Sequence, residues 1–192
     1  MLVHEAVYDE FLEQLAHGAQ ARRLGDPLDA ETQQGPQVDA AHLDRIDAYV
    51  REAVADGAHC LTGGFRPEPD DFFYAPTLIT GASSDARISR EEVFGPVACV
   101  YPFADLDQAL HAANDTDFGL SACIWTTDPD TARTAAAGLQ VGTCWINGFG
   151  SFDPQVPWGG TKLSGTGREL GSAGLHEFLN TKAVWDPTPQ YG

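Results

Sequence analysis

The chain has few positive charges and no long apolar run. Only 11 of its 192 residues are Lys or Arg, against 28 Asp and Glu, so the formal net charge is −17. A field of this sign repels nucleic acid and anionic membranes, which excludes both as partners. No run of 18 apolar residues occurs, and acids interrupt the N-terminal stretch MLVHEAVYDEF. A cytoplasmic protein without a membrane span or signal peptide is therefore predicted.

The four cysteines are far apart, without a CxxC pair or a Cys/His cluster, so neither a disulfide framework nor a zinc site is predicted. Each cysteine lies in an apolar run typical of a strand, as in SACIW and TCWIN. Each could be a nucleophile or a small buried hydrophobic residue, and the apolar surroundings favour the second role. The residues are Cys60, Cys99, Cys123 and Cys144.

Three motifs of common enzymes are also missing. No GxGxxG follows a strand, since GTGRELG at residues 165–171 lacks the dinucleotide-binding pattern and its βαβ context. GGTKLSG does not match a phosphate-binding P-loop, and no GxSxG accompanies a Ser/His/Asp triad. The residues alone thus indicate an acidic α/β domain with a glycine-rich site loop.

Apolar runs of strand length alternate with segments of helical period. Helices are predicted in AVYDEFLEQLAHGAQA and after three N-caps, Asp39, Asp105 and Asp128, the last with Pro129 at the first helical position. Strands are predicted in MLVH, HCLTGG, FFYAPTLIT, PVACVYPF, SACIWTT and TCWIN. The alternation predicts an α/β fold with a doubly wound, mostly parallel sheet and flanking helices.

The composition changes after Asn147. The stretch GFGSFDPQVPWGGTKLSGTGRELGSAG is rich in Gly and Pro, and its aromatic residues favour an ordered site loop over a disordered segment. The tail LHEFLNTKAVW predicts a helix end and a short strand. Two units follow: residues 1–147 as an α/β unit, and residues 148–192 as the site loop, a terminal helix and a short oligomerisation-type strand.

Three stretches in this order and spacing resemble the C-terminal part of NAD(P)-dependent aldehyde dehydrogenases: EEVFGPV, NDTDFGLSACIWTTD and PWGGTKLSGTGRELG. The likeness extends to GDPLDAETQQGPQV and FFYAPTLIT, and so covers nearly all of the chain. The resemblance implies the catalytic-domain fold of that family, cut short at its N-terminus. It also implies oxidation of an aldehyde substrate to a carboxylate, with NAD or NADP as the cofactor.

The resemblance gives two residues a role at the cofactor. Glu92 matches the acid that hydrogen-bonds the nicotinamide ribose, and Phe94 the aromatic residue at the nicotinamide ring. A carboxylate suits a ribose diol because it accepts charge-assisted hydrogen bonds from both hydroxyls. The neighbouring Glu91 matches no ligand contact and is expected to be solvated or locally paired. His42 and Arg45 are further candidates, at positions where the family has a Gln and a Lys that contact the cofactor. His42 departs from that pattern and Arg45 keeps only the charge, so Arg45 could reach a ribose or phosphate or could be an ordinary exposed helix residue.

Two aromatic residues match the aldehyde tunnel of the family. Trp158 precedes the double glycine, where Trp resembles betaine-aldehyde dehydrogenases and could hold a quaternary ammonium by cation–π attraction. Phe152 would form a second wall, and the alternative is that Trp158 only packs the loop. Glu169 matches an acid that relays protons, with a structural role as the alternative.

The resemblance also implies that essential groups are missing. The family's cysteine nucleophile lies a few residues before a stretch like MLVHEAVYDEF, and its base glutamate, oxyanion asparagine and dinucleotide-binding domain lie further upstream. The chain alone is therefore expected to be inactive. It would be a fragment or one half of a split enzyme, a non-catalytic partner of a full-length homologue, or a degenerate or mis-started product without a function of its own.

Overall fold

The structure is a computed structural model that describes residues 1–68 and 71–188, so the last four residues of the predicted second unit lie outside it. Its contacts define two compact units, Met1–Ala113 and Asn114–Gly192. The boundary predicted after residue 147 was placed by composition and stays a prediction. The predicted α/β fold, with mostly parallel strands and flanking helices, is confirmed.

The first unit contains a four-stranded sheet in the order β1–β4–β3–β2. Strands β1 (Leu2–His4) and β3 (Thr77–Thr80) pair in parallel with the central β4 (Val97–Phe103), while β2 (His59–Thr62) pairs antiparallel to β3. The first three residues of β3 are buried, as expected for a strand that is covered on both faces.

Two helices of this unit begin where their sequence caps predict. The Asp39 side chain accepts a hydrogen bond from the His42 N–H at 2.7 Å, and Asp105 accepts one from Gln108 N–H at 2.8 Å. The helices are α1 (Tyr8–Gln20, after a 3-10 turn at Glu5–Val7), α2 (Ala40–Ala55), α3 (Arg87–Arg90) and α4 (Leu106–Asn114).

The core of the first unit lies between α2 and the sheet. One face of α2 is almost free of solvent because its apolar residues recur at helical spacing. That face packs on buried residues of the sheet and its loops. The cluster comprises Leu43, Ile46, Tyr49, Val50 and Ala53 of α2, with Ala58, Tyr74, Ile79 and Ile88.

The second unit contains a parallel pair of strands, β6 (Ser121–Ile124) and β7 (Thr143–Ile146). They are joined by α5 (Pro129–Gly138), which has the predicted Pro at its first position. The predicted cap Asp128 is also confirmed, since its carboxylate accepts from the backbone N–H groups of residues 130 and 131.

The glycine-rich loop after β7 has regular backbone pairing of its own. Strand β8 (Thr161–Lys162) pairs antiparallel to β5 (Phe118–Gly119), and α6 (Gly171–Glu177) follows. The loop also approaches the chain before β7 very closely: a Cβ on Gly142 would lie 1.6 Å from the carbonyl oxygen of Gly159. Only glycine fits at residue 142, because the backbone of the glycine-rich loop at Gly159 lies directly against it.

The strand predicted in the tail does not form within the single chain, and its pairing with another subunit stays a prediction. Residues 180–187 have no strand structure, and Val184 and Trp185 are 83% and 88% exposed. A strand forms only where a neighbouring strand completes its ladder of hydrogen bonds, and the described part of this chain places none beside the tail.

The prediction that the cysteines are buried is also wrong for two of them. All four lie in or beside the predicted strands, but Cys60 and Cys123 are exposed and only Cys99 and Cys144 are partly covered. Cys60 lies on β2, the edge strand, and Cys123 lies on a sheet of only two strands. A strand is buried on both faces only where layers cover both, and these positions lack that cover.

Within the ranges 1–68 and 71–188, no helix is long and apolar enough to cross a membrane. The same residues contain no group of three or more His, Cys, Asp or Glu side chains that could hold a metal ion.

Candidate functional site

The two adjacent glutamates, after α3, have different surroundings. Glu91 accepts a hydrogen bond from the Tyr49 hydroxyl at 2.5 Å, and its two carboxylate oxygens share the Nε–H of Arg87, each at 3.2 Å from the nitrogen. The hydrogen bond from Tyr49, and then those from Arg87, lower the pKa of the Glu91 carboxyl. The prediction that Glu91 is locally paired or solvated is confirmed, because it is held inside the protein's own network.

Glu92 is the free member of the pair. Its side chain is exposed, and the described residues form no hydrogen bond or ion pair with its carboxylate. All of its acceptor capacity is therefore available to a ligand with hydroxyl groups. The assignment of Glu92 to the ribose stays a prediction.

Phe94 is presented on a tight, left-handed turn. Its φ is +56°, an uncommon conformation for an aromatic residue, and its side chain is 69% exposed. The carbonyl oxygen of Phe94 accepts a hydrogen bond from His42 Nε2 at 2.6 Å, and the two rings meet edge to face with centroids 6.1 Å apart. The ring of Phe94 is thus exposed while its backbone is tied to α2.

The other nitrogen of His42 is used as well. Arg45 Nη2 lies 2.9 Å from His42 Nδ1, and because a guanidinium can only donate, Nδ1 must be the acceptor. The proton of the neutral imidazole is then on Nε2, where it is donated to Phe94. The roles predicted for His42 and Arg45 as cofactor contacts stay predictions, since the structure bonds these side chains to each other and to the turn.

The second unit brings four aromatic side chains together. Phe152 lies edge to face with Trp158 at 5.7 Å between centroids and with Trp145 at 5.8 Å, and Trp145 meets Phe149 at 5.5 Å. The two predicted tunnel residues, Phe152 and Trp158, are therefore in contact. Sequence reasoning missed Trp145 and Phe149, although the aromatic residues at TCWIN and GFGSF are close in sequence.

Trp158 and Glu169 are joined through their backbones. Each donates an N–H to the carbonyl of the other, at 2.8 and 2.7 Å. The Glu169 side chain is exposed, whereas the indole Nε1 of Trp158 is buried without a hydrogen-bond partner in the described structure. The proton-relay role of Glu169 stays a prediction, and a structural contribution of its backbone is present.

Three thiols, those of Cys60, Cys99 and Cys144, have raised pKa values. Burial raises the pKa of the Cys99 and Cys144 thiols above the ordinary value. Burial also raises the pKa of the Cys60 thiol, which donates a hydrogen bond to the Thr62 carbonyl at 3.3 Å. A thiol with a raised pKa is protonated at neutral pH, so it is a poor nucleophile.

The chain is similar to known aldehyde dehydrogenases over almost all of its length. The model of the aldehyde dehydrogenase family matches residues 1–184. Betaine aldehyde dehydrogenase of Bacillus subtilis (strain 168) is 42% identical over 192 residues, and an aldehyde dehydrogenase of Paenarthrobacter nicotinovorans is 44% identical over 183. These matches cover 98% and 95% of this chain but 39% and 40% of the relatives. The chain thus spans about two fifths of their length.

A solved structure shows the same fold. The structure of betaine aldehyde dehydrogenase from Staphylococcus aureus in complex with NAD⁺ matches with a TM-score of 0.90 and 40% sequence identity. The match covers 94% of this chain and 37% of that one. Sequence and fold agree, and the chain belongs to the aldehyde dehydrogenase family.

Proposed function

We propose that these 192 residues form part of an NAD(P)-dependent enzyme that oxidises aldehydes to carboxylates. They would supply a surface for the nicotinamide ribose, in the first unit, and aromatic walls for the aldehyde, in the second. Family membership supports the reaction class, and the similar Staphylococcus aureus enzyme was crystallised with NAD⁺. A cytoplasmic location and an oligomeric state are parts of the same proposal.

One observation carries the ribose assignment. Of the two adjacent glutamates, Glu91 accepts hydrogen bonds from Tyr49 and Arg87. Glu92 is exposed and has no hydrogen-bond or ion-pair partner among the described residues. Two neighbouring carboxylates repel each other, so an arrangement that neutralises one and leaves the other bare favours a ligand at the second. The exposed ring of Phe94, two residues on, offers an apolar face beside it.

The residues present fit a nicotinamide cofactor. The Glu92 carboxylate can accept hydrogen bonds from both hydroxyls of a ribose, and the Phe94 ring can pack against a flat heteroaromatic ring. When bound, NAD(P)⁺ accepts the hydride that leaves the aldehyde carbon during oxidation. His42 and Arg45 border the same turn and are secondary candidates for cofactor contacts.

The aromatic cluster supports a narrower proposal on the substrate. Phe152 and Trp158 meet edge to face, and Trp145 and Phe149 extend the row of rings. Ring faces attract apolar groups by burial and quaternary ammonium groups by cation–π interaction. We therefore propose an aldehyde with an apolar or quaternary ammonium tail. Betaine aldehyde and phenylacetaldehyde are the two probes that distinguish these tails.

The 192 residues are not proposed to oxidise aldehydes alone. The family reaction needs a cysteine thiolate, and the thiols of Cys60, Cys99 and Cys144 all have raised pKa values. Loss of an essential nucleophile lowers the rates of comparable enzymes by several orders of magnitude. A complementing segment or a full-length homologue would have to supply the thiolate.

The test is complementation. The chain is mixed with the segment of the Bacillus subtilis betaine aldehyde dehydrogenase that precedes its region of similarity, and NADH formation is followed by absorbance with each probe aldehyde. We expect turnover only in the mixture and a raised KM for NAD⁺ with Glu92→Ala. The matched control is Glu13→Ala, an exposed glutamate on α1. Turnover by the chain alone, or equal KM values in Glu92→Ala and wild-type mixtures, would contradict the proposal.

The alternative is a non-catalytic partner of a full-length homologue. The many exposed apolar side chains of the second unit, such as Phe178 and Trp185 at 88% exposure each, favour some covering partner. Stable co-purification with the full-length enzyme, combined with no turnover in any mixture with the preceding segment, would support this reading instead.

A further inference from the structure

The turn at residues 91–95 carries the two residues proposed to meet the cofactor, and every other residue of the turn is fixed to helix α2 or to the core. Three residues of α2 make contacts to it, spaced at i, i+4 and i+7, which places them along one face of the helix. They are His42, Ile46 and Tyr49.

The first anchor holds the start of the turn. The buried Tyr49 hydroxyl donates to Glu91, and the guanidinium of Arg87 lies over the Tyr49 ring at 4.1 Å while it donates to the same carboxylate. Arg87 also lies 3.5 Å from Glu52 of α2. Arg87 is itself held by the Tyr49 ring and by Glu52. Together with the buried Tyr49 hydroxyl it therefore restricts the position of Glu91 more than a solvent-exposed ion pair would.

The second anchor holds the end of the turn. His42 Nε2 donates to the carbonyl oxygen of Phe94, where the backbone is in the left-handed conformation. Such a conformation is stable in a non-glycine residue only when the surroundings hold it in place. Arg45 occupies Nδ1, which keeps the proton of the neutral ring on the nitrogen that faces Phe94.

Just after the second anchor, at Gly95, the backbone lies against the Ile46 side chain of α2. A Cβ on Gly95 would be 2.6 Å from Cδ1 of Ile46, so the turn approaches α2 as closely as glycine allows. The side chain of Val93 packs on the core cluster. Only the side chains of Glu92 and Phe94 are left exposed and without a hydrogen bond to the protein.

We propose that Tyr49 and His42 are positioning residues that preform the turn, so that Glu92 and Phe94 meet the cofactor without prior ordering. The inference rests on the proposed function, and it adds for His42 a role through the backbone of Phe94. Preformation matters because a binding state that is populated only in part weakens the apparent affinity by that fraction.

The test separates order from binding. In the 192-residue chain without cofactor, ¹⁵N order parameters of Glu92, Val93 and Phe94 are measured in Tyr49→Phe and His42→Leu. We expect values near the rigid limit of about 0.85 in the wild type and below about 0.6 in both variants. His42→Gln, which retains an N–H donor, should restore part of the order, as a merely space-filling role would not.

Two matched controls lose comparable groups elsewhere. Tyr8→Phe removes a hydroxyl that donates to Val100 O at 3.1 Å, away from the turn. His17→Leu removes an exposed histidine of α1. Both should leave the order parameters of residues 92–94 unchanged. If these controls loosen the turn as much as the anchor variants do, general destabilisation explains the effect and the inference is overturned.

The kinetic arm uses the complemented enzyme. We expect Tyr49→Phe and His42→Leu to raise the KM for NAD⁺ about tenfold, as for a turn that is competent about a tenth of the time, with a smaller change in kcat. Unchanged order parameters in the anchor variants overturn the inference whether or not NAD⁺ binds. If the anchor variants loosen the turn in the chain but no mixture with the preceding segment reduces NAD⁺, the positioning role of Tyr49 and His42 is supported and the proposed function is overturned.

Discussion

The backbones of Trp158 and Glu169 exchange two hydrogen bonds, of 2.8 and 2.7 Å. The pairing fixes the base of the Trp158 side chain across the glycine-rich loop and engages no atom of the Glu169 carboxylate. The contribution of Glu169 to the position of Trp158 is therefore a backbone contribution, which can be separated from any role of its side chain.

Substitutions at Glu169 should differ sharply according to what they remove. Glu169→Gln should change the free energy of unfolding by less than about 0.5 kcal/mol, because an exposed side chain without partners contributes little. Glu169→Pro removes the N–H that donates to Trp158 and should cost about 1–3 kcal/mol. Urea unfolding followed by circular dichroism measures both. Equal losses in the two variants would contradict the backbone assignment.

Protonation of Glu91 should destabilise the chain in acid. The hydrogen bonds from Tyr49 and Arg87 lower the folded-state pKa of Glu91 below 4.5, its ordinary value. The unfolded chain then binds the proton more readily, so this contribution is complete above the unfolded pKa and is lost as the pH falls through the folded one. As the pH falls below about 4.5, the unfolding free energy of Glu91→Gln should depend less steeply on pH than that of the wild type.

The matched control for Glu91→Gln is the same substitution at a glutamate that does not contact Tyr49 or Arg87. Glu13→Gln on α1 removes an equal charge at an exposed position, so it corrects for the change in net charge. Its unfolding free energy should follow the pH dependence of the wild type. A Glu91→Gln curve that also follows the wild-type slope would show that the Tyr49 and Arg87 contacts do not stabilise the fold.

Gly95 should tolerate alanine only if Ile46 is made smaller. The added methyl group would lie 2.6 Å from Cδ1 of Ile46, which is fully buried, so Gly95→Ala alone should cost about 1–3 kcal/mol. In an Ile46→Ala background the same change should cost less, giving a coupling energy of about 0.5–3 kcal/mol in a double-mutant cycle. Additive losses would show that the turn is not seated on Ile46.

Lys162 should be far more sensitive than the chain's other lysine. Its ammonium donates to the carbonyl oxygens of Asn114 and Thr116, at 2.7 and 2.9 Å, at and just beyond the C-terminal end of α4. Lys162→Met would leave the Thr116 carbonyl without a donor and the Asn114 carbonyl with only the Thr116 N–H, at a cost of about 1–3 kcal/mol. Lys182→Met, in the exposed tail, is the matched control and should be nearly neutral. Thermal unfolding compares the two.

The features predicted from sequence are those set by short-range rules. Asp39, Asp105 and Asp128 were predicted as helix caps, and each accepts a backbone N–H two or three residues on. The strand and helix alternation also follows from local apolar patterns. Glu92 was singled out from the family motif EEVFGPV, whose seven residues are adjacent in the chain.

The features that were missed depend on residues far apart in the chain. Tyr49 and Glu91 are separated by 42 positions, and His42 and Phe94 by 52, so no local pattern indicates either bond. The exposure of Cys60 and the missing strand at Val184 depend on which layers or strands lie alongside. An apolar sequence states what a strand could bury, but neighbours decide whether it is buried.

At Phe94, the residue that suits the left-handed backbone best differs from the residue that suits cofactor binding. Glycine adopts that conformation without strain, so Phe94→Gly would relieve a cost of about 1–2 kcal/mol while it removes the ring. A library sorted for heat resistance would enrich glycine here, and one sorted for cofactor use would retain the aromatic residue. A difference between the two enriched populations at residue 94 would show that the aromatic ring is kept for function and not for stability.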